Sequence, residues 1–177
     1  MRLHRSAITP LVLFVLAILT LPLSTAQAQT PALEGDYLYL EAESDPIGEA
    51  IEAAVSGMNF ITRPIARGRL TRTNEPYQRV SIRLGSDEVT VTMDDREPIV
   101  ARPDGNPMKW TREDGEVLDL TTRWVDGALE QTFVAEDGQR ANRFVLSPDG
   151  DRMEHHVTVT SPRLAQPLTY LLRYARQ

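Results

Sequence analysis

Two histidines stand side by side near the end of the chain, at positions 155 and 156. Adjacent histidines could bind a metal ion or supply a catalytic base. They lie in the stretch DRMEHHVTVTS, whose alternating residues predict a β-strand, and neighbouring strand residues point to opposite faces. We therefore expect His155 to face inward with Met153 and Val157, and His156 to face solvent. The two rings should then share no metal ion.

Other residue patterns typical of enzymes are missing from the sequence. The closest glycines are nine positions apart, which excludes the dinucleotide-binding fingerprint and the phosphate-binding loop. The sequence contains no Gly-x-Ser-x-Gly, no His-Glu-x-x-His and no cysteine. The acidic pairs Asp94-Asp95 and Asp149 with Asp151 lie beside predicted turns, where aspartate is common. The sequence therefore predicts a protein that is not an enzyme and that uses no cofactor or metal ion.

Polar side chains recur on the predicted inward face of neighbouring strands. The candidate ligand-binding residues are Thr122, Gln131, Asn142 and His155, with Tyr170 and Tyr174 on the last strand. A ligand pocket combines mostly apolar walls with a few polar groups that orient the ligand. The alternative is that these residues are hydrogen-bonded core groups. Two interpretations also apply to Trp110 and Trp124, which could stack on a ligand or fill the core.

Four arginines follow one another closely in the segment after the predicted helix. They are Arg63, Arg67, Arg69 and Arg72. At the entrance of a pocket they could bind an anionic head group, such as a carboxylate or a phosphate, through paired hydrogen bonds. The chain has 18 arginines and one lysine, so an ordinary solvated loop also explains the cluster.

The elements that position these residues are short strands separated by turns. Asp-Gly pairs, which favour tight turns, begin at positions 104, 114, 126, 137 and 149, and Gly85 marks one more turn. Apolar residues alternate with polar ones between the turns, and this inward set includes Met108 and Trp110. We count about ten strands. This spacing predicts an all-β fold, an antiparallel meander closed as a barrel.

One short helix is predicted directly after the first strand, over residues 45–56. Asp45 can cap it and Pro46 fits its first turn. Its apolar stripe consists of Ile47, Ile51, Ala54, Val55 and Met58. Residues 58–70 are predicted to return to the sheet as an irregular connection.

The first 28 residues have the pattern of a signal peptide. Arg2 and Arg5 precede a long apolar run, and the run ends in small residues before a predicted cleavage after Ala28, with a cut after Ala26 as the alternative. Residues 29–177 then form one domain, free in the periplasm or secreted, with no stable membrane anchor. Cleavage leaves 17 basic against 25 acidic side chains, a net charge of −8. Such a balance argues against binding nucleic acid.

The predicted elements follow one another in a recognisable order. A first strand opens with Gly35-Asp36-Tyr37, a helix and a meander follow, and a strand at Leu168–Arg176 ends the chain. This order, over nearly all of residues 29–177, resembles the calycin group, particularly its fatty-acid-binding-protein branch. That branch holds a ligand carboxylate with Arg-x-Tyr on the last strand. Here the strand has Arg173-Tyr174, and Arg173 is expected to face away from Tyr174.

Two functions are consistent with these expectations. The first is a non-enzymatic binding protein that holds a small, largely apolar or amphipathic molecule inside the barrel, with the helix as a lid. The second is a barrel filled by its own side chains that binds a protein partner through its surface, for example in envelope assembly. An exposed apolar patch would favour the second.

Overall fold

The computed structural model describes residues 33–177, which contain one ten-stranded antiparallel sheet and two α-helices. The predicted signal peptide and its cleavage site lie outside these residues. The elements are β1 (Gly35–Tyr39), α1 (Ile47–Val55), α2 (Arg63–Thr73), β2 (Arg79–Leu84), β3 (Val89–Met93), β4 (Ile99–Ala101), β5 (Asp104–Thr111), β6 (Val117–Val125), β7 (Ala128–Ala135), β8 (Gly138–Leu146), β9 (Arg152–Thr160) and β10 (Leu168–Arg176). No helix within residues 33–177 is both long and apolar enough to cross a membrane.

The strands form a meander that curls into a nearly closed barrel. Their order is β4-β3-β2-β1-β10-β9-β8-β7-β6-β5, so the first and last strands of the chain lie side by side. Tyr37 pairs with Arg176 across that junction. The two edge strands, β4 and β5, are consecutive in the chain and are joined by only two residues. The predicted all-β meander barrel of about ten strands is confirmed.

Asp-Gly pairs form tight turns where the backbone needs positive φ. Asp126 and Gly127, with φ of 50° and 79°, make the two-residue hairpin between β6 and β7. The predicted turn at Asp104-Gly105 is wrong, because this pair lies within β5, where the pairing with β6 changes register. The connection from β4 falls at residues 102–103 instead.

The first helix was predicted correctly, but its predicted cap was not. Helix α1 begins at Ile47, and no side chain in the described part of the chain caps it. Asp45 instead accepts a hydrogen bond at Oδ2 from the backbone nitrogen of Leu171, 2.8 Å away on β10. Ile51, Ala54 and Val55 are buried against the barrel. The helix therefore covers one end of the barrel, tied to β10.

The irregular connection predicted over residues 58–70 is wrong, because helix α2 occupies most of it. Asn59 accepts hydrogen bonds at Oδ1 from the backbone nitrogens of Ile61 and Thr62, which stabilises the approach to the helix. Pro64 fits the first turn, since it needs no hydrogen-bond partner there. Only Leu70 of α2 is buried.

Most of the predicted inward residues form a continuous core. Tyr37, Ile82, Phe144, Met153 and Leu172 are all at most 1% exposed. Met108 is an exception, because it lies on the edge strand β5 and is 40% exposed although it pairs with buried Leu120. Within residues 33–177 no strand pairs with the other side of β5, and this leaves its inner face partly uncovered.

Candidate functional site

A row of polar side chains crosses the barrel wall from β6 to β8. Thr122, Gln131 and Asn142 lie opposite one another on neighbouring strands, and all are at most 3% exposed. The row continues through Val157 on β9 to Tyr170 on β10. Opposed residues on one face of a sheet have neighbouring side chains. The row therefore places polar groups from three strands at one level of the barrel.

His155 and Tyr174 lie further along the wall, on β9 and β10. The His155 ring stacks on Phe144, with ring centres 4.5 Å apart, and lies 6.4 Å from the Tyr174 ring centre. Burial, with smaller contributions from Arg140 and His156, lowers the pKa of His155 well below its usual value. Burial also raises the pKa of Tyr174. Both groups are therefore uncharged at neutral pH.

Several of these buried polar atoms have no hydrogen-bond partner among the described residues. They are Thr122 Oγ1, Gln131 Oε1 and Nε2, His155 Nδ1 and Nε2, and the Tyr174 hydroxyl. Buried polar groups in proteins are nearly always hydrogen-bonded. Neighbouring side chains enclose these atoms and shield them from solvent, so a ligand can reach them only if some of those side chains move.

Arg140 forms the centre of a second polar cluster that the sequence analysis missed. Its Nε donates to Asn142 Oδ1 at 3.0 Å, its Nη1 to Asn74 Oδ1 at 2.8 Å, and its Nη2 to the Tyr170 hydroxyl at 3.3 Å. Tyr170 in turn donates to Asn74 Oδ1 at 3.0 Å. The alternation along β8 places Arg140 on the inward face with Asn142, a signal that could have identified it.

The partners of Arg140 are all neutral oxygens. Among residues 33–177 Arg140 makes no ion pair. Arg143, which follows Asn142 directly and lies on the outer face, pairs with Glu130. A half-buried guanidinium without a carboxylate partner keeps much of its capacity to bind an anion. This arrangement could hold a carboxylate at the inner surface of the barrel.

The predicted entrance arginines lie on α2 and do not come together at the Arg140 cluster. Arg67 pairs with Glu52 of α1, and Arg69 pairs with Asp137 in the turn between β7 and β8. Arg63 donates to the carbonyl oxygens of Ser56 and Met58. Three of the four therefore hold the helices in place, and for Arg72 no ion pair is seen in the described residues.

An exposed apolar patch lies where the two helices meet. Phe60, Ile61 and Ile65 are 83%, 65% and 71% exposed, and we call these three residues the cap patch. Such large side chains normally lie in the core, and a group of them on a surface indicates a contact site. The segment that carries the cap patch, residues 57–74, contains four arginines and no acidic residue.

The fold resembles those of solved fatty-acid-binding proteins. A Schistosoma mansoni fatty-acid-binding protein in complex with arachidonic acid gives a TM-score of 0.53 at 19% identity, over 84% of this chain and 98% of that one. The REP1-NXSQ fatty acid transporter gives 0.52 at 14% identity, over 82% and 96%. Echinococcus granulosus fatty-acid-binding protein 1 gives 0.51 at 12% identity, over 81% and 96%.

These likenesses define the class of fold. The chain has a calycin-like fold of the fatty-acid-binding-protein type, as its sequence predicted. No family model and no curated protein sequence matches it. At these identities the likeness concerns the fold, so a function has to be argued from the residues inside the barrel.

Proposed function

We propose that the barrel binds one small amphipathic, lipid-like molecule and performs no chemical reaction on it. The observation that carries this proposal is the Arg140 cluster, an inward guanidinium without a carboxylate partner in the described residues. A carboxylate on the ligand would accept hydrogen bonds from Arg140 and from the Tyr170 hydroxyl. The named activities of the three similar structures, fatty-acid binding and transport, support the same class of ligand.

The rest of the ligand would lie against the apolar inner wall. Phe144, Val157 and Leu172 are buried on the same face as Arg140 and Asn142, on β8, β9 and β10. Burying a hydrocarbon chain against such residues contributes about 0.8 kcal/mol for each methylene group. Helix α1, which covers one end of the barrel, would move to admit the ligand and would then cover it.

The cellular location is part of the same proposal. A signal peptide removed after Ala28 would release residues 29–177 into the periplasm or the medium. In an oxidising compartment the protein could form no unwanted disulfide, since the sequence has no cysteine. An intact-mass measurement on protein from the periplasmic and medium fractions tests this point, and uncleaved protein found only in the cytosol would contradict it.

The binding proposal is tested by comparing stearate with octadecanol, which lacks the charge. In delipidated protein we expect Arg140→Gln to weaken stearate binding at least tenfold, as for the loss of a charged hydrogen bond, and to leave octadecanol binding unchanged. Arg143→Gln is the matched control, because it removes an arginine from the outer face of the same strand. Failure of the wild type to bind either compound would reject the proposal.

The cap patch favours a second function, in which the protein acts through its surface. Phe60, Ile61 and Ile65 suit an anionic lipid surface together with Arg72, which makes no ion pair within residues 33–177, because apolar side chains insert while an arginine binds a phosphate group. Replacing all three residues with serine should abolish sedimentation with phosphatidylglycerol vesicles. A wild type that stays in solution with those vesicles would exclude this function, whatever the stearate experiment shows.

A further inference from the structure

Buried polar side chains follow the barrel wall from the level of the Arg140 cluster to well beyond it. Arg140 is near the helices, because the turn that precedes it holds Asp137, the ion-pair partner of Arg69 on α2. Phe144 is four residues further along the same face of β8, and its cross-strand neighbour is His155. Four residues of β-strand span about 13 Å. The backbone of His155 therefore lies roughly that distance beyond the backbone of Arg140, and Thr122 and Gln131 lie between the two, at the level of Asn142.

A second group of buried polar residues consists of uncharged side chains that can both donate and accept hydrogen bonds. We call Thr122, Gln131, His155 and Tyr174 the deep polar set. All four are at most 1% exposed, and six of their polar atoms lack a partner among the described residues. The neighbouring Asn142 and Tyr170, by contrast, are bonded to Arg140. The deep polar set is therefore separate from the Arg140 cluster in its bonding, although Thr122 and Gln131 lie at the same level of the wall as Asn142 and Tyr170.

A plain hydrocarbon tail does not suit this part of the wall. It would leave the six atoms unpaired after the ligand was bound, and an unpaired buried polar group is costly. A second carboxylate does not suit it either, because no arginine or lysine within residues 33–177 donates a hydrogen bond to the deep polar set. The remaining match is an uncharged oxygen that can accept from one of these groups and, if it is a hydroxyl, donate to another.

We propose that the deep polar set binds an uncharged hydroxyl or carbonyl group that the ligand carries partway along its chain, beyond its anionic head. This inference rests on the proposed function and deepens it. The ligand class becomes an oxygenated fatty acid or a molecule of similar layout, and a simple saturated fatty acid becomes a weaker ligand. Specificity arises because a site built to hydrogen-bond a hydroxyl discriminates strongly against an analogue that lacks it.

The experiment compares stearate with 12-hydroxystearate by isothermal titration calorimetry on delipidated protein. We expect the wild type to bind 12-hydroxystearate about tenfold more tightly, or better. In the double variant Tyr174→Phe, Gln131→Leu, which keeps side-chain size and removes the polar atoms, the two affinities should agree within about twofold. Gln139→Leu on β8 is the control, because Gln139 is exposed, and it should keep the full preference.

The possible results separate this inference from the proposed function. If wild type and double variant both bind stearate, but the wild type shows no preference for the hydroxylated acid, the deep polar set has no role in recognition and only this inference fails. If the preference survives in the double variant, the inference also fails. If neither acid binds the wild type, the proposed function and this inference fail together. Stearate binding by the double variant shows at the same time that it is folded.

Discussion

Arg140 on β8 and Tyr170 on β10 contact each other across the intervening strand β9, with Nη2 of the arginine 3.3 Å from the tyrosine hydroxyl. Asn74, directly after α2, joins the pair by accepting from both residues at its Oδ1. Its Nδ2 donates to the carbonyl oxygen of Leu70 at 2.9 Å. One amide side chain therefore connects the end of the helix to the site on the barrel wall.

Replacing Asn74 should destabilise the protein and weaken ligand binding. Asn74→Ala removes the acceptor for Arg140 and Tyr170, and it leaves buried groups without partners, so we expect a loss of about 2–3 kcal/mol in the free energy of unfolding. Urea titration measures this loss. Glu75→Ala, at an exposed neighbouring position, should change it by less than about 0.5 kcal/mol. Equal effects of the two substitutions would show that the cluster does not stabilise the fold.

Burial of His155 should make the stability depend on pH in acid. Its pKa is lowered in the folded chain, whereas an unfolded histidine has a pKa near 6.5. As the pH falls through about 6.5, the unfolded chain binds a proton that the folded chain does not, so stability is lost by up to about 1.4 kcal/mol per pH unit. Stability attributable to this residue is complete above that range.

The pH effect is measured by denaturant titration of wild type and His155→Leu between pH 7.5 and 5.5. We expect the wild type to lose about 1 kcal/mol more than the variant over this interval. His156→Gln is the control, because His156 is partly exposed beside Glu154 and should leave the difference intact. Parallel curves for wild type and His155→Leu would mean that the pKa of His155 is the same in the folded and the unfolded chain.

The barrel was predictable from the sequence because its determinants are local. Positive φ at Asp126 and Gly127 follows from residue type, and the inward faces of β8 and β9 follow from a period of two. Helix α2 was not predictable in this way. Its sequence RPIARGRLTRT buries only Leu70, so it has no apolar stripe to distinguish it from a loop.

The Arg140 cluster shows why a site is harder to predict than a fold. The alternation that placed Asn142 inward also places Arg140 inward. Its partners Asn74 and Tyr170, however, are 66 and 30 residues away along the chain. No spacing rule connects such positions, because their contact depends on how α2 ends against the curled sheet. The roles of the six predicted ligand-binding residues remain predictions for the same reason.

Gly138 should be intolerant of even one added methyl group. A Cβ at this position, at the start of β8, would lie 2.5 Å from the carbonyl oxygen of Thr160, a backbone atom that cannot move aside easily. We expect Gly138→Ala to lower the free energy of unfolding by about 1–3 kcal/mol. Gly68→Ala in α2 is the matched control and should raise it by up to about 1 kcal/mol, because alanine favours a helix and has space there. Equal effects of Gly138→Ala and Gly68→Ala on the free energy of unfolding would mean that the β7–β8 turn does not lie against the backbone of Thr160.

Two buried tyrosines offer a test of the unpaired hydroxyl that needs no ligand. Tyr37 and Tyr174 are both at most 1% exposed, but the Tyr37 hydroxyl donates to the carbonyl oxygen of Leu33 at 2.7 Å, whereas Tyr174 has no partner in the described residues. Tyr37→Phe should therefore lower the free energy of unfolding by about 1 kcal/mol. Tyr174→Phe should raise it by about 1 kcal/mol, since it removes a buried polar group that makes no hydrogen bond. Thermal unfolding of the ligand-free variants measures both changes. A loss of stability in Tyr174→Phe would mean that its hydroxyl is hydrogen-bonded without a ligand, and the deep polar set would then be part of the ordinary core.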